Sequence, residues 1–278
     1  MTARDRQSPS IHPAARVGFG AAADAYERGR PSYPAEATRW VADELRLGPG
    51  SRVLDLAAGT GKFTRMLVGS GAWLLAVEPV EGMRQVFRSK LPDVPVLGGR
   101  AEALPLRGGS IDAAVVAQAF HWFDAPAAIR ELHRVLRPGG RLGLVWNVRD
   151  DEASPFWAGL TRLLSPYRGD VPAHRDNVWR HAFEATELFH PLQTRSFPFR
   201  QSLTPEQVID RVVSTSFIAV LPDAERSQVA TDVRFLLDAD PATAQRKRLE
   251  LPYRTDVHTT QRRDREAVTP RGTRRHAG

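Results

Sequence analysis

The amino-acid sequence predicts an α/β protein built on a doubly wound, mostly parallel sheet. Residues 53–56 form a short apolar run, typical of a strand buried on both faces. Gly59 and Gly61 follow it, as in a turn from a strand into a helix. Strand-like runs alternate with helical patterns from residue 52 to 147, which favours parallel strands with helices on both faces.

The predicted elements follow one another regularly along the first half of the chain. Residues 19–47 should contain one or two helices, which end at the Gly-Pro-Gly turn of residues 48–50. After the strand at 53–56, a second is expected at 74–77. Three more are expected, before Arg100, at 111–116 and at 142–147.

A helical insertion is predicted after the fifth strand, in residues 148–250. Its helical stretches are expected near residues 154–165, 174–189, 205–214 and 222–238. The third stretch shows the spacing of one buried helix face, with apolar residues at Val208, Ile209, Val212 and Val213. Two β-like runs, at 194–199 and 251–258, should complete a sheet of seven strands.

Two carboxylates flank the glycine turn and point to a nucleoside site. Asp55 lies at the tip of the first strand, and Glu78 lies at the tip of the second. A doubly wound sheet places the second of these acids where it can bind ribose hydroxyls. Gly59 would allow the backbone to approach a ligand closely.

The glycine pattern separates two nucleoside ligands. A dinucleotide fingerprint requires three glycines, but the corresponding positions hold Ala57, Gly59 and Lys62. Asp55 would repel a phosphate, whereas it could accept hydrogen bonds from an ammonium group. S-adenosylmethionine (SAM) has a nucleoside and a positive centre but no phosphate, so the sequence favours SAM over NAD.

Five further segments support this interpretation, and with them the chain resembles the class I SAM-dependent methyltransferases. The match is nearest to the small-molecule branch with trans-aconitate methyltransferase-like proteins, and it runs from about residue 19 to residue 257. The matching segments are residues 26–34, 100–105, 111–116, 118–123 and 132–140. Many relatives carry glycine at Ala57 and aspartate at Arg100. Because a guanidinium has only donors, Glu102 or the backbone of Ala101 would have to bind adenine here.

The resemblance implies a SAM site formed by several segments. Tyr26 and Arg30 belong to an N-terminal segment that closes over the cofactor in the family. The other implied cofactor-binding residues are Asp55, Ala57, Gly59, Thr60, Gly61, Glu78, Pro79, Met83, Ala101, Glu102, Gln118, Ala119, His121 and Trp122.

The methyl acceptor is expected between the carboxyl edge of the sheet and the insertion. The candidate contacts are Trp146, Arg149, Trp157, Tyr167, Arg168 and Phe217. The aromatic residues could equally belong to the core, and the arginines could equally be surface residues. Relatives that methylate carboxylates use arginines as anion clamps, for which the bidentate guanidinium is suited. An acidic small molecule is therefore the predicted acceptor.

His121 is the candidate catalytic residue. An ionised carboxylate acceptor needs no general base, whereas a hydroxyl, amine or carbon acid would benefit from one. Histidine titrates near neutrality, and His121 lies just beyond the fourth strand. The alternative is that His121 and Trp122 only shape the cofactor pocket.

Composition excludes several other classes of site. The 278 residues include 42% hydrophobic residues and no cysteine, so disulfides and thiolate zinc sites are excluded. No metal site is predicted, since His174, His181 and His190 lack metal-ligand spacing. No run approaches the ~18 apolar residues of a membrane span, and the first twenty residues lack a signal peptide. A cytoplasmic protein, monomeric or homodimeric and without a membrane partner, is expected.

The net charge of +7 is concentrated near the C-terminus. Residues 246–278 carry ten Arg and Lys against four Asp and Glu, so the remainder is almost neutral and no nucleic-acid partner is predicted. Residues 1–18 and 259–278 are expected to be disordered and dispensable, which leaves 19–258 as the domain. Two functions stay open, an enzyme and a non-catalytic SAM- or nucleotide-binding regulatory module.

Overall fold

The structure of the protein is a computed structural model that describes residues 31–264. Its strands are β1 Arg52–Leu56, β2 Trp73–Val77, β3 Val96–Leu97, β4 Ile111–Ala117, β5 Leu136–Arg149, β6 Gln193–Leu203 and β7 Leu249–Gln261. Its α-helices are α1 Ala35–Glu44, α2 Lys62–Leu67, α3 Glu81–Lys90, α4 Ala125–Val135, α5 Pro155–Arg168, α6 Val178–Glu184, α7 Pro205–Val213, α8 Ser216–Ala219 and α9 Asp223–Ala239. Short 3₁₀ helices span Val68–Ser70, Phe120–Trp122 and His174–Asp176.

The strands form one seven-stranded sheet in the order β3-β2-β1-β4-β5-β7-β6. All pairs from β3 to β5 are parallel, whereas β7 runs antiparallel to both β5 and β6. The predicted doubly wound fold is therefore confirmed. The strand order reverses between β1 and β4, and ligands of such sheets bind beyond the carboxyl ends of the strands at this point.

Helices cover both faces of the sheet because side chains alternate along β1. Leu54 and Leu56 point into the core beneath α4 and α6, which includes Leu132 and Trp179. Val53 points the other way, into the core beneath α1 and α2. β1 is thus buried on both sides, as its continuous apolar run predicts.

The insertion after β5 has a core of its own. Trp157 of α5, Val208 of α7 and Val233 of α9 are fully buried there, against Tyr253 of β7. The predicted helical insertion is confirmed, although α6 begins only at Val178. The expected helix at 174–189 is shortened because Asn177 adopts a left-handed backbone with φ 56°.

Polar caps start the helices of the insertion that face β6 and β7. The Ser154 hydroxyl accepts a hydrogen bond from the Trp157 N–H at 3.3 Å. Thr204 and Gln207 form a reciprocal capping box, with N–H to oxygen distances of 3.2 and 2.9 Å. Proline follows each cap, where its missing N–H costs no helical hydrogen bond.

The last strand extends beyond the predicted boundary at residue 258. Thr260 and Gln261 pair with Leu142 and Arg141 of β5, and Thr260 is 7% exposed. The Arg262 N–H donates to the Gly140 carbonyl at 2.8 Å. The prediction of a disordered segment from residue 259 is thus wrong for residues 259–264. The polar and basic residues obscured a strand that backbone hydrogen bonds hold in place.

Three predicted features lie outside the described residues. These are the expected disordered end at 1–18, residues 265–278 of the expected disordered tail, and the first part, up to residue 30, of the segment 19–47 predicted to contain one or two helices, together with Tyr26 and Arg30. Within residues 31–264, no helix combines the length and the apolarity that crossing a bilayer requires. The same residues contain no group of three or more His, Cys, Asp or Glu that could hold a metal ion.

The β7 extension predicts how truncation affects stability. A chain ending at residue 258 loses several backbone hydrogen bonds, each worth about 1 kcal/mol. We expect its melting temperature to fall by roughly 6–12 °C, since 1 kcal/mol shifts Tm by about 2–4 °C at this size. A chain ending at residue 264 is the control and should melt like the full chain. Equal melting temperatures for all three chains would contradict the assignment of β7.

Candidate functional site

The loop between β1 and α2 has an unusual backbone. Ala57, Gly59 and Gly61 all adopt left-handed conformations, with φ of 56°, 58° and 81°. The loop is attached to the end of β2, since the Ala57 N–H donates to the Val77 carbonyl at 2.7 Å. A Cβ in this conformation is strained. The structure thus explains why many relatives carry glycine at the position of Ala57.

The two glycines of the loop serve different purposes. A Cβ added at Gly59 would meet nothing within 4 Å, so the space beside this residue is open. A Cβ added at Gly61 would lie 2.6 Å from Leu91 Cδ1 and 2.8 Å from Phe87 Cδ2. Gly61 therefore allows α3 to pack closely against the loop. Its predicted place in the ligand site is not supported by this geometry.

A cavity of about 60 Å³ opens beside the loop, and we call it the loop cavity. It is lined by Pro31, Tyr33, Asp55, Ala57, Ala58, Gly59, Thr60, Lys62, Phe63, Ala117, Gln118 and Arg211. Five of the predicted cofactor-binding residues are among these. The loop cavity lies at the carboxyl ends of β1 and β4, where the fold favours a ligand.

Asp55 is a buried carboxyl group with one oxygen unused. It is 2% exposed, and its Oδ2 accepts a hydrogen bond from the Thr64 hydroxyl at 2.5 Å. Its Oδ1 has no hydrogen-bond partner within the described structure. Burial raises the pKa of Asp55 to about 7, and the neighbouring Glu78 adds to the rise. This oxygen could accept a hydrogen bond from a cationic group, and that group would favour the ionised form of Asp55.

Glu78 connects β2 to the glycine loop. Its Oε2 accepts from the Gly59 N–H and its Oε1 from the Val80 N–H, both at 2.9 Å. Burial raises the pKa of Glu78, while these two hydrogen bonds oppose the rise. Each carboxylate oxygen keeps a second lone pair for a ligand hydroxyl. Glu78 does not line the loop cavity itself. Pro79 follows it directly in the chain, and the buried Met83 lies in the first turn of α3.

The segment predicted to hold adenine already forms hydrogen bonds and an ion pair within the protein. Ala101 is 4% exposed and belongs to the core beneath α4. The Glu102 Oε1 accepts from the Asp124 N–H at 3.1 Å, and its Oε2 lies 3.4 Å from Arg100 Nε. Arg100 stands where many relatives carry aspartate. It thus pairs with Glu102, the acid expected to bind adenine in place of that aspartate. Ala119 packs at the edge of the same core.

A second cavity, of about 260 Å³, lies between the carboxyl edge of the sheet and the insertion. We call it the arginine cavity, because four arginines line it, Arg149, Arg168, Arg175 and Arg211. Among the described residues, no aspartate or glutamate contributes to its lining. A concave lining with this charge favours an anionic ligand.

Four of the six predicted acceptor contacts line the arginine cavity. They are Trp146, Arg149, Arg168 and Phe217. Arg149 donates to the Thr161 hydroxyl at 3.4 Å, and Arg168 donates to Asp176 Oδ1 at 2.8 Å. The structure therefore brings two of the predicted anion clamps into one cavity.

Trp157 and Tyr167 do not line the arginine cavity. The Trp157 side chain is fully buried, its Nε1–H donates to the Pro252 carbonyl at 2.9 Å, and Arg149 covers its ring. Tyr167 packs against the core of the insertion. Trp157 lies one turn before Thr161 on the same face of α5, but its ring packs against Tyr253 of β7 and beneath Arg149, so it stays in the core.

His121 lines the arginine cavity in a fixed orientation. The Trp146 indole N–H donates to His121 Nδ1 at 3.2 Å, which requires Nδ1 to be the unprotonated nitrogen. A proton accepted at Nδ1 would face this indole donor. The geometry therefore favours the interpretation that His121 and Trp122 shape the pocket, and catalysis by His121 stays a prediction.

Two residues line both cavities, Gln118 and Arg211. Gln118 has a left-handed backbone with φ 62°, and its N–H donates to the Val145 carbonyl at 2.8 Å. Such strain in a non-glycine residue is typical of functional sites. Arg211 was not predicted from the sequence, because its only signal is a charge within the amphipathic α7.

The comparisons with known proteins decide the family. A family model described as a methyltransferase domain matches residues 54–144. An uncharacterized methyltransferase of Mycobacterium bovis is 44% identical over 239 residues, which cover 86% of this chain and 93% of that protein. The chain belongs to the SAM-dependent methyltransferase family. An uncharacterized methyltransferase-like protein of Schizosaccharomyces pombe is 36% identical, with coverages of 85% and 92%.

The methyltransferase fold is also found among solved structures. The YcgJ protein of Bacillus subtilis superposes with a TM-score of 0.55 at 20% identity, covering 84% of this chain and all of that one. This similarity concerns the fold alone. The methyltransferase domain match contains Asp55, Gly59, Glu78 and Gln118, whereas Arg168 and Arg211 lie beyond it.

Proposed function

We propose that this methyltransferase transfers the methyl group of SAM to a small carboxylic acid held in the arginine cavity. The observation that carries the proposal is the position of this cavity, which shares the lining residue Gln118 with the loop cavity. A methyl group bound on one side could therefore reach an anion on the other. The acceptor would be a small molecule rather than a nucleic acid.

The residues of the loop cavity fit the amino-acid end of SAM. The unused Oδ1 of Asp55 would accept a hydrogen bond from its ammonium group. The open space beside Gly59 would admit the ligand against the backbone. Glu78 would bind the ribose hydroxyls, and residues 101–102 would border the adenine. SAM supplies an activated methyl group on a positively charged sulfur.

The residues of the arginine cavity fit an anion. Arg168 is already paired with Asp176, but no acidic residue belongs to the described lining of the cavity, so a bound anion would reduce the repulsion between its guanidinium groups and the cationic methyl donor. Arg149 and Arg168 would bind the acceptor carboxylate, because their planar groups can donate two parallel hydrogen bonds. Trp146 and Phe217 would contact its apolar part. This chemistry needs mainly positioning, since the acceptor is already ionised.

The pKa of Asp55 predicts how cofactor binding depends on pH. In the folded protein this pKa is raised from 3.8 to about 7, so Asp55 costs stability as the pH rises between these values. An ammonium partner favours the ionised form, and binding should then release a proton. We expect SAM affinity to increase about tenfold per unit as the pH rises towards about 7.

Calorimetry in buffers of different ionisation enthalpy would measure the released proton. Asp55→Asn should bind SAM more weakly and without this pH dependence. Equal pH profiles for the parent and the variant would contradict the assigned role of Asp55.

The acceptor proposal predicts how the arginines affect kinetics. Mass spectrometry with labelled SAM would identify methylated products from a panel of small carboxylic acids. For the best acid, Arg149→Gln should raise KM about tenfold or more and change kcat little, since clamping acts in ground and transition states alike. Arg234→Gln is the control, because Arg234 lies on α9 and is 56% exposed. Methylation of RNA or DNA with no activity on any acid would overturn the proposal.

A further inference from the structure

The loop cavity and the arginine cavity share part of their linings. If SAM binds in the loop cavity, as proposed above, its methyl group would reach the arginine cavity beside the shared residues. Only Gln118 and Arg211 belong to both linings among residues 31–264. The attacking atom of the acceptor would therefore lie beside an amide and a guanidinium.

Arg211 is held at this junction by α7 and the last two strands. Val208 and Val212 of α7 are buried and fix the rotation of the helix. The Arg211 Nη1 donates to Gln201 Oε1 at 3.0 Å. Its guanidinium also lies 4.9 Å from the centre of the Tyr253 ring. These contacts with Gln201 of β6 and Tyr253 of β7 orient the guanidinium.

The described lining of the arginine cavity contains no strong general base that could remove a proton from an acceptor. Its described lining contains no carboxylate. His121 uses Nδ1 to accept the Trp146 indole N–H. Burial lowers the pKa of His174 to about 4, which makes it a weak base. An acceptor that arrives already ionised fits this surrounding better than an alcohol or an amine.

We propose that Arg211 selects the charge of the reacting group, so that this methyltransferase methylates an anionic oxygen and rejects neutral and cationic acceptors. The inference rests on the proposed function and deepens it. A lone pair of the carboxylate oxygen forms a bond to the methyl carbon while the carbon–sulfur bond breaks. The electron pair of the broken bond stays on sulfur. The products are a methyl ester and neutral-sulfur S-adenosylhomocysteine, and no proton is released.

The direction of the kinetic effect follows from this charge neutralisation. The carboxylate loses its negative charge in the transition state, so Arg211 should stabilise the bound acceptor at least as much as the transition state. Replacing Arg211 should therefore raise KM for the acid, while kcat stays the same or increases.

The experiment measures acceptor binding and charge selectivity separately. The probes are 3-phenylpropanoate and its amide, together with the best acid of the panel and its amide. Calorimetry with the S-adenosylhomocysteine-loaded protein should show acid binding about tenfold or more weaker in Arg211→Gln. Affinity for SAM alone should change less than about threefold. The affinity of Arg211→Lys for the acid should lie between those of the parent and Arg211→Gln. Arg234→Gln should bind the acid like the parent.

The outcomes separate this inference from the proposed function. If the parent methylates no acid, the proposed function fails and the inference with it. If the parent methylates acids and Arg211→Gln keeps the parent's binding preference for acid over amide, only the inference fails. An equal loss of SAM affinity would assign Arg211 to the donor instead. Should Arg211→Gln not fold, an unchanged binding preference for acid over amide in the neutral variant Arg211→Met would overturn the inference.

Discussion

Gly59→Val should abolish SAM binding while the protein still melts cooperatively. The added side chain would occupy the open space beside the loop, where no atom lies within 4 Å of the new Cβ. The added side chain strains the left-handed backbone but meets no protein atom, whereas a ligand bound against the backbone would overlap with it. Overlap of this kind costs about 3 kcal/mol or more, and the affinity should fall at least about a hundredfold.

Two other glycines provide controls for the Gly59 experiment. Gly109 has a similar φ of 65° and also has nothing within 4 Å of an added Cβ. Gly109→Val should therefore cause a similar backbone strain and leave SAM binding intact. Gly61→Val should instead destabilise the fold, because its Cβ would collide with Leu91 and Phe87. If Gly59→Val bound SAM like the parent, the loop would not be the cofactor site.

Glu78→Gln should weaken SAM binding by about 1.5–3 kcal/mol, or roughly ten- to a hundredfold in Kd. The carboxylate is expected to accept hydrogen bonds from both ribose hydroxyls, and charge-assisted bonds are the strong kind. The substitution also places an amide N–H₂ against the N–H of Gly59 or Val80. Titration calorimetry with SAM would measure the loss.

A double-mutant cycle can separate the ribose contact from the loop contact. The parent and Glu78→Gln would each be titrated with S-adenosylhomocysteine and with its 2′-deoxy analogue. If Glu78 binds the 2′-hydroxyl, the variant should discriminate much less between the two ligands than the parent does. Fully additive losses would show that Glu78 acts only through the glycine loop.

The grouping of the proposed cofactor-binding residues was predictable because they lie in a short stretch of chain. Asp55, Gly59 and Glu78 follow from two strands and one turn, and the parallel pairing of β1 and β2 brings them together. Even here the sequence could not separate Gly59 from Gly61. That difference depends on where Phe87 and Leu91 of α3 pack.

The end of the domain shows a similar limit. Residues 259–264 are polar and basic, which matches a disordered tail by composition. They are ordered because the edge of β5 and the Gly140 carbonyl need hydrogen-bond partners. Backbone pairing of this kind depends little on side-chain type, and so it left no pattern to detect.

By itself the sequence determined the doubly wound sheet and the SAM-dependent methyltransferase family, and it named two of the four arginines that line the arginine cavity. Periodicity and local turns carry that information over short distances along the chain. Only the tertiary structure decided which side chains converge. Arg149 of β5 and Arg211 of α7 line one cavity, while Trp157 turns into the core. Helix packing sets this convergence, and contacts between residues so far apart in the chain leave no local signal.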